Sequence, residues 1–206
     1  MPTNHDLARG ILQHIGDGGA PDRPLAPHLP DAPPGHHSAI RLVFVNGHFD
    51  AVLSDRRQLG AGLWCGSSSE LAAPIADRYE LVPDDPRDAF HALNLASSHD
   101  IAIVLADRDA APARPVHIIH VAVGGGDLSM AHPRTIIHAN ARSDIEIIET
   151  FTGIGATVTN ADTTVRLGAE ASVRHHRVQT EATDAIHLGH TAAHLARDAH
   201  LRSTST

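Results

Sequence analysis

The spacing of apolar residues changes sharply along the first third of the chain. Apolar side chains recur near helical spacing over residues 4–16 and predict a short amphipathic helix. Six prolines follow within residues 17–37, where large apolar residues are few. Such a composition cannot bury a core and is typical of a mobile linker. We therefore predict that residues 1–38 form a short helix and a proline-rich flexible linker.

Ordered structure is predicted to begin with the β-rich run at residues 40–45. Asn46 and Gly47 separate this run from the next apolar one. Because both residues tolerate positive φ, the pattern predicts a β-hairpin. A helix is predicted over Pro86–Ser97, which makes residues 39–110 a small α/β region. The apolar face of that helix is expected to consist of Ala89, Phe90, Leu93 and Ala96.

The last third of the chain carries a weak internal repeat, in which equivalent apolar positions recur at one constant offset. Strand-like runs at residues 100–105 and 115–123 precede it. Each unit has an alternating strand, a turn of small residues and a second alternating strand. One unit cannot bury its apolar face alone, whereas stacked units bury a continuous core, so the pattern predicts a β-solenoid. Antiparallel hairpins that share this spacing by chance are the alternative. The recurring apolar positions are Ile145, Val173 and Leu201; Ile137, Val165 and Ala193; and Ala139, Leu167 and Leu195.

Composition and charge narrow the function classes. The 206 residues include 16 basic and 24 acidic side chains, and this balance argues against nucleic acid as the main partner. No apolar run is long enough for a membrane-spanning helix, and no signal-peptide pattern opens the chain. We therefore expect no membrane partner and a cytoplasmic location. Cys65 is the one cysteine, which excludes an intrachain disulfide and a four-cysteine zinc site.

The 18 histidines are an unusually large number of candidate metal ligands for a chain of this length. His187, His190 and His194 would share one face of a helix and could bind zinc or iron there. On a strand, residues 187 and 190 point to opposite faces, and this segment aligns with the repeat strands. We therefore interpret all three as solvated strand or turn histidines. The same interpretation is given to His36, His37, His117, His120, His175 and His176, and of two adjacent strand histidines one should be exposed.

The remaining candidate groups lack the neighbours that their chemistry requires. Cys65 has no local base and is interpreted as a half-buried loop cysteine. The segment 124–127, Gly-Gly-Gly-Asp, lacks the Lys-Ser/Thr of a phosphate-binding loop and is interpreted as a flexible connection. Arg134, Glu146 and Glu149 are expected to form solvated charged rows on a sheet. No catalytic, cofactor-binding or metal-ligating residue is assigned.

Several segments together resemble one protein family. They are Leu-Val-Phe-Val-Asn-Gly-His-Phe at residues 42–49, the helix-like Asp-x-Phe-x-Ala-Leu-Asn-x-Ala at residues 88–96, and the strand-like segments 133–137 and 145–149. These segments are similar to the SufB/SufD family, the scaffold proteins of SUF iron–sulfur cluster assembly. The SufD branch is the closer match, and the resemblance covers residues 40–206.

The resemblance implies a mainly β fold with a right-handed parallel β-helix as its core. Residues 39–110 would be a small α/β N-terminal region, and residues 111–206 the first rungs of the β-helix. The family's later rungs and C-terminal helices have no counterpart in the sequence, so we expect an apparently truncated, N-terminal portion. No family functional residue is therefore carried over to this chain.

The function implied by the resemblance is that of a non-enzymatic scaffold. A SufD-like subunit would assemble with a SufB-like scaffold and a SufC-like ATPase. This portion is expected to bind no cofactor, since the intact complex would handle the iron–sulfur cluster. Two alternatives remain open: a β-helix enzyme acting on a carbohydrate or acyl substrate, and a histidine-rich metal-binding protein. The long offset of the repeat, without a strict hexapeptide period, counts against the enzyme.

Overall fold

The computed structural model describes residues 16–17, 39–57, 59–79, 88–124 and 129–206. The helix expected over residues 4–16 and the proline-rich linker fall almost wholly outside these ranges. The exception is Gly16–Asp17, a two-residue strand that pairs with residues 129–130. The histidine pair at 36–37 also lies outside the described residues.

The described residues form strands β1 to β13 and helices α1 and α2. The strands are β1 (Gly16–Asp17), β2 (Ile40–Val45), β3 (His48–Phe49), β4 (Leu63–Ser67), β5 (Ile101–Ala106), β6 (Val116–Val123), β7 (Ser129–Ala131), β8 (Arg134–Ala139), β9 (Asp144–Ile154), β10 (Thr157–Leu167), β11 (Ser172–Thr180), β12 (Ile186–Leu195) and β13 (His200–Ser205). The helices are α1 (Ala73–Arg78) and α2 (Ala89–Ser97).

The strands form two sheets, and the chain crosses repeatedly between them. Sheet A has the order β1-β7-β10-β8-β5-β4, with β12 also paired to β10, and sheet B has the order β13-β11-β9-β6-β2-β3. The strands from β8 to β13 alternate between the sheets, and their pairings are all parallel. Parallel neighbours that alternate between two sheets make a β-solenoid of about three turns, which confirms the mainly β, solenoid prediction. The right-handed sense stays a prediction.

The pairing register confirms the internal repeat position by position. On sheet B, Val173 lies between Ile145 and Leu201. On sheet A, Val165 pairs with Ile137 of the preceding repeat and Ala193 of the following one. These parallel pairings make the alternative of chance-spaced antiparallel hairpins wrong for this part of the chain. Strands of the predicted α/β region (residues 39–110) also pair with strands of the predicted β-helix region (residues 111–206): β2 pairs with β6, and β5 with β8.

The turns between rungs stack as regularly as the strands. Arg142, Glu170 and Asp198 occupy equivalent positions in successive repeats and adopt positive φ values of 58°, 59° and 55°. The backbone N–H of Arg142 donates to the carbonyl of the following turn, at Ala169, and Glu170 repeats this bond one rung later. A positive φ costs an L-residue about 1–2 kcal/mol. The stacked turns therefore depend on neighbouring rungs to hold their shape.

The apolar core lies between the two sheets. Alternate residues of each strand point inward, because side chains alternate along a strand. The largest inward side chains include Leu42, Phe44, Ile118, Ile137, Ile145, Ile147 and Val165. The outer face of sheet A is covered in part by α1, where Ile75 packs with Ile103 and Leu105.

Helix α2 differs from its prediction in both its start and its buried face. It begins at Ala89, after the N-cap Asp88, while Pro86 lies outside the described residues. The buried residues are His91 and Asn94, whereas Ala96 is exposed, so the predicted apolar face was wrong. The physical reason is hydrogen bonding: the buried Asn94 amide donates to the carbonyls of Pro133 and Asn160, which an apolar residue at this position could not do.

Candidate functional site

A carboxylate is buried inside the solenoid, on the same face of β9 as Ile145 and Ile147. Glu149 has 0% of its surface exposed. Thr135 Oγ1 donates to its Oε1 at 2.6 Å, and Thr163 Oγ1 donates to its Oε2 at 3.0 Å. His175 Nε2 lies 3.1 Å from Oε2, and His120 Nε2 lies 3.5 Å from Oε1. We call Glu149, Thr135, Thr163, His120 and His175 the interior cluster.

The interior cluster holds its carboxylate in the ionised state. Burial by itself would raise the pKa of Glu149, because it penalises the charged form. Hydrogen bonds from His120 and His175 and the electrostatic attraction of those two rings outweigh burial and hold the pKa of Glu149 well below its ordinary value. Both carboxylate oxygens are occupied by side-chain donors, so the cluster is chemically closed.

The interior cluster corrects several sequence interpretations. Arg134 and Glu149 are buried and not solvated, and His117 and His120 are buried as well. Of the adjacent pair His175 and His176, the first is buried and the second retains 36% side-chain exposure, as expected for neighbours on a strand. The expectation of solvated charged rows was wrong because polar side chains from several rungs meet inside the solenoid and bind one another there. Glu146, which is partly exposed, lies 3.6 Å from the Arg174 guanidinium and 3.5 Å from the His176 ring.

A second polar group lies on the opposite face of sheet A. Asp162 adjoins the inward-pointing Thr163, so its side chain points outward, under α2. Its Oδ2 lies 3.0 Å from His190 Nδ1 and 3.6 Å from His91 Nε2. The two imidazole rings stack with their centroids 5.3 Å apart. We call His91, Asp162 and His190 the outer cluster; among the described residues, it is the group with the composition and proximity of a metal-ligand set.

The solenoid register and one anchored helix build the outer cluster. Asp162 and His190 are direct partners on β10 and β12, because they occupy the same position in successive repeats. The Asn94 amide of α2 donates to the carbonyls of Pro133 at 3.0 Å and Asn160 at 2.7 Å. These two bonds, with a third from Asn160 Nδ2 to the Phe90 carbonyl of the helix at 2.9 Å, fix the helix over β10 and place His91, which lies one helical turn before Asn94, against Asp162.

The outer cluster opens onto a cleft of about 210 Å³ between α2 and strands β10 and β12. Asp162 is 2% exposed, yet no described residue donates a hydrogen bond to its Oδ1. His190 is the accessible member, with 32% side-chain exposure. The cleft is lined by Asp88, Phe90, His91, Asn94, Asn160, Ala161, Asp162, Leu188, Gly189 and His190.

The three histidines singled out from their spacing do not converge. His187 Nδ1 lies 2.8 Å from Glu181 Oε2, and its ring contacts Phe151 edge-on. His194 is exposed near the far end of β12. His190 alone joins a ligand set, with partners that the spacing did not indicate. The strand geometry, with residues 187 and 190 in different surroundings, agrees with the prediction for a strand.

The two remaining candidates from the sequence are Cys65 and the glycine-rich segment at residues 124–127. Cys65 lies within β4 and is 1% exposed, so the expectation of a half-buried loop cysteine was wrong. Burial raises the pKa of its thiol to about 12, which keeps it protonated and poorly nucleophilic. Gly124 directly follows β6, and its N–H donates to the carbonyl of Ile154 at the end of β9. Residues 125–127 lie outside the described residues.

The sequence analysis did not single out His91 or Asp162, and its expectation that Glu149 is solvated was wrong. The constant offset of the repeat contained two usable signals. It relates Asp162 to His190 and Thr135 to Thr163, and both pairs share a register position. For His91, no comparable signal exists, because its place depends on how α2 packs on the sheet.

None of the helices in the described part of the chain combines the length and the apolarity needed to cross a membrane.

Comparisons with known proteins agree with the resemblance noted from the sequence. Residues 120–206 match the family model of the SUF system FeS cluster assembly SufBD core domain. The chain is 29% identical over 178 residues to an iron–sulfur cluster assembly SufBD family protein of Synechocystis sp., a match that covers 80% of the chain and 38% of that relative. It is 26% identical over 180 residues to the iron–sulfur cluster assembly protein SufD of Escherichia coli, covering 85% of the chain and 40% of that protein. The chain thus spans about two fifths of the length of these curated relatives.

Proposed function

We propose that this chain, which belongs to the SufB/SufD family and is SufD-like, is a scaffold component of the SUF iron–sulfur cluster assembly machinery. The family indicates involvement in iron–sulfur cluster assembly. The finer proposal is that the chain assembles with a SufB-like scaffold and a SufC-like ATPase, has no enzymatic activity of its own and works in the cytoplasm. The cluster would be the cargo of the assembled complex, not a cofactor of this portion.

The observation that supports a scaffold is the continuous stack of parallel strands over the family core. Residues 120–206 contain most of the solenoid, and each of its later rungs pairs with the next in a constant register. A stack of this kind is a rigid, extended framework, because each repeat is held by its neighbours. The interior carboxylate is already occupied by donors, so it supports a structural role better than a catalytic one.

The test is co-expression of the full-length gene product with the SufB-like and SufC-like proteins of the same source. A tag on the SufB-like protein should retain the product through size-exclusion chromatography, in a complex that also contains the ATPase. The matched control is a tagged, unrelated protein of similar charge. If the full-length product forms a complex with neither protein, the scaffold proposal is wrong.

A further inference from the structure

The donor chemistry of the outer cluster is that of a transition-metal site. Two imidazoles and one carboxylate are the ligands that Zn²⁺ and Fe²⁺ accept in proteins. Ca²⁺ and Mg²⁺ prefer sets made only of oxygen, and two nitrogen donors disfavour them. One ligand atom from each of His91, Asp162 and His190 lies within 4.8 Å of the other two.

The distances suit one shared ion. In a tetrahedral site with metal–ligand bonds of about 2.1 Å, the ligand atoms are about 3.4 Å apart. The two separations from Asp162 Oδ2, 3.0 Å to His190 Nδ1 and 3.6 Å to His91 Nε2, lie on either side of that value. Shifts of a few tenths of an ångström would bring these two separations to the tetrahedral value, and the nitrogen atoms of the two histidines lie within 4.8 Å of each other. The ion would replace the proton between His190 and Asp162, since metal ligands must be deprotonated.

The cluster is organised in advance of any ligand. His91 and Asp162 are 3% and 2% exposed, so their side chains have little freedom left to lose on binding. Asp162 is held by the strand register and His91 by the Asn94 anchor of α2. The buried Asp162 Oδ1, which receives no hydrogen bond from the described residues, is an independent sign that the site suits a cation.

The cleft gives the ion access and room for a fourth ligand. Its volume of about 210 Å³ accommodates water or a small ligand beside the cluster. The charged side chains that line it within the described residues are the carboxylates of Asp88 and Asp162, without an arginine. Three protein ligands and one open position are the arrangement of zinc sites that exchange a ligand.

We propose that His91, Asp162 and His190 bind one divalent transition-metal ion of the Zn²⁺ or Fe²⁺ class. The site lies on the outer face of sheet A, separate from the interior cluster. It departs from the expectation of no metal in this portion, and it does not depend on assembly with a partner, so it stands or falls independently of the scaffold proposal.

The test is metal titration of the untagged, chelator-treated chain. Co²⁺ should bind with a stoichiometry near one and give the visible absorption of tetrahedral coordination, and Zn²⁺ should displace it. His190→Asn and His91→Asn should each weaken Co²⁺ affinity at least about tenfold. Anaerobic Fe²⁺ competition against bound Co²⁺ separates a zinc site from one that also accepts iron.

The matched control is His194→Asn, which removes an exposed histidine farther along the same strand. It should leave Co²⁺ affinity and absorption unchanged. Circular dichroism and urea unfolding midpoints establish that the variants fold. Because the His190 side chain is partly exposed, His190→Asn should disturb packing less than His91→Asn. Absence of one-to-one binding by the parent chain, or equal losses in the His190 and His194 variants, would overturn the proposal.

Discussion

The solenoid has two buried carboxylates, one inside it and one on its outer surface under α2, and the two differ in how completely their oxygens are hydrogen-bonded. Glu149, inside, has hydroxyl or imidazole donors at both oxygens. Asp162, outside, has one oxygen near two imidazoles and another to which no described residue donates. A closed set of partners stabilises the fold, whereas an incompletely satisfied carboxylate beside a cleft is suited to a ligand. The comparison separates a structural group from a candidate binding group.

Removing Glu149 should produce the largest effect. Glu149→Ala would leave His120 and His175 facing a cavity, and breaking a buried ion pair from one side costs about 3–5 kcal/mol of unfolding free energy. Urea unfolding of the chain measures the change. The control, Glu146→Gln, alters a carboxylate at the margin and should cost less than about 1 kcal/mol. Similar costs for the two variants would remove the distinction between interior and margin.

Acid should weaken the interior cluster next. The pKa of Glu149 is lower in the folded chain than its ordinary value of 4.5, so the unfolded chain binds the proton more tightly. Its stabilising contribution is complete above about pH 5 and is lost as the pH falls below 4.5 toward the folded-state pKa. The difference in unfolding free energy between the parent and Glu149→Gln should therefore shrink as the pH falls from about 5 to about 3. A difference that grows over this range would contradict the assignment.

Asn94→Ala tests whether the helix is what organises the outer cluster. The substitution removes both bonds that Asn94 donates and leaves the bond from Asn160 Nδ2 to the Phe90 carbonyl of α2; the loss of the two buried bonds should cost about 1–3 kcal/mol. Co²⁺ affinity should fall as well, although no ligand is removed. Ala96→Ser, on the exposed side of the same helix, is the control and should leave affinity unchanged. Lower stability with unaltered Co²⁺ binding would show that the Asn94 bonds are not what places His91 against Asp162.

The strand positions and the pairing register could be predicted from the sequence, because the alternation of apolar residues within a strand is a local pattern and it recurs at a constant offset. The offset that aligns Ile145, Val173 and Leu201 is the offset of the observed pairing. The same alternation places Glu149 on the face of Ile145 and Ile147, so its burial was readable. A charged residue on a strand is ordinarily solvated, and the burial of Glu149 depends on the hydroxyl and imidazole partners that the neighbouring rungs supply.

The burial of a polar face of α2 could not be predicted from the spacing of apolar residues. Asn94 is buried where its amide can donate to the carbonyls of Pro133 and Asn160, and the spacing of apolar residues along a helix gives no indication of partners so far away in the chain. The position of His91 follows from the same packing. Local periodicity therefore predicted the solenoid, while the outer cluster arises from contacts between distant segments.

Asp162→Asn should have the smallest effect on the metal-free chain and is the sharpest test of the comparison. The amide keeps the shape and one acceptor for His190, so the cost should be about 1 kcal/mol. Zinc should widen the gap in stability between the parent and Asp162→Asn, because an ion at about 100 times its dissociation constant adds about 2.7 kcal/mol to the stability of a chain that binds it only when folded. The parent should gain this stability and Asp162→Asn should gain far less, while Glu149→Gln should respond to zinc as the parent does. Equal zinc stabilisation of Asp162→Asn and the parent would place the ion elsewhere, and the two carboxylates would then differ only in structure.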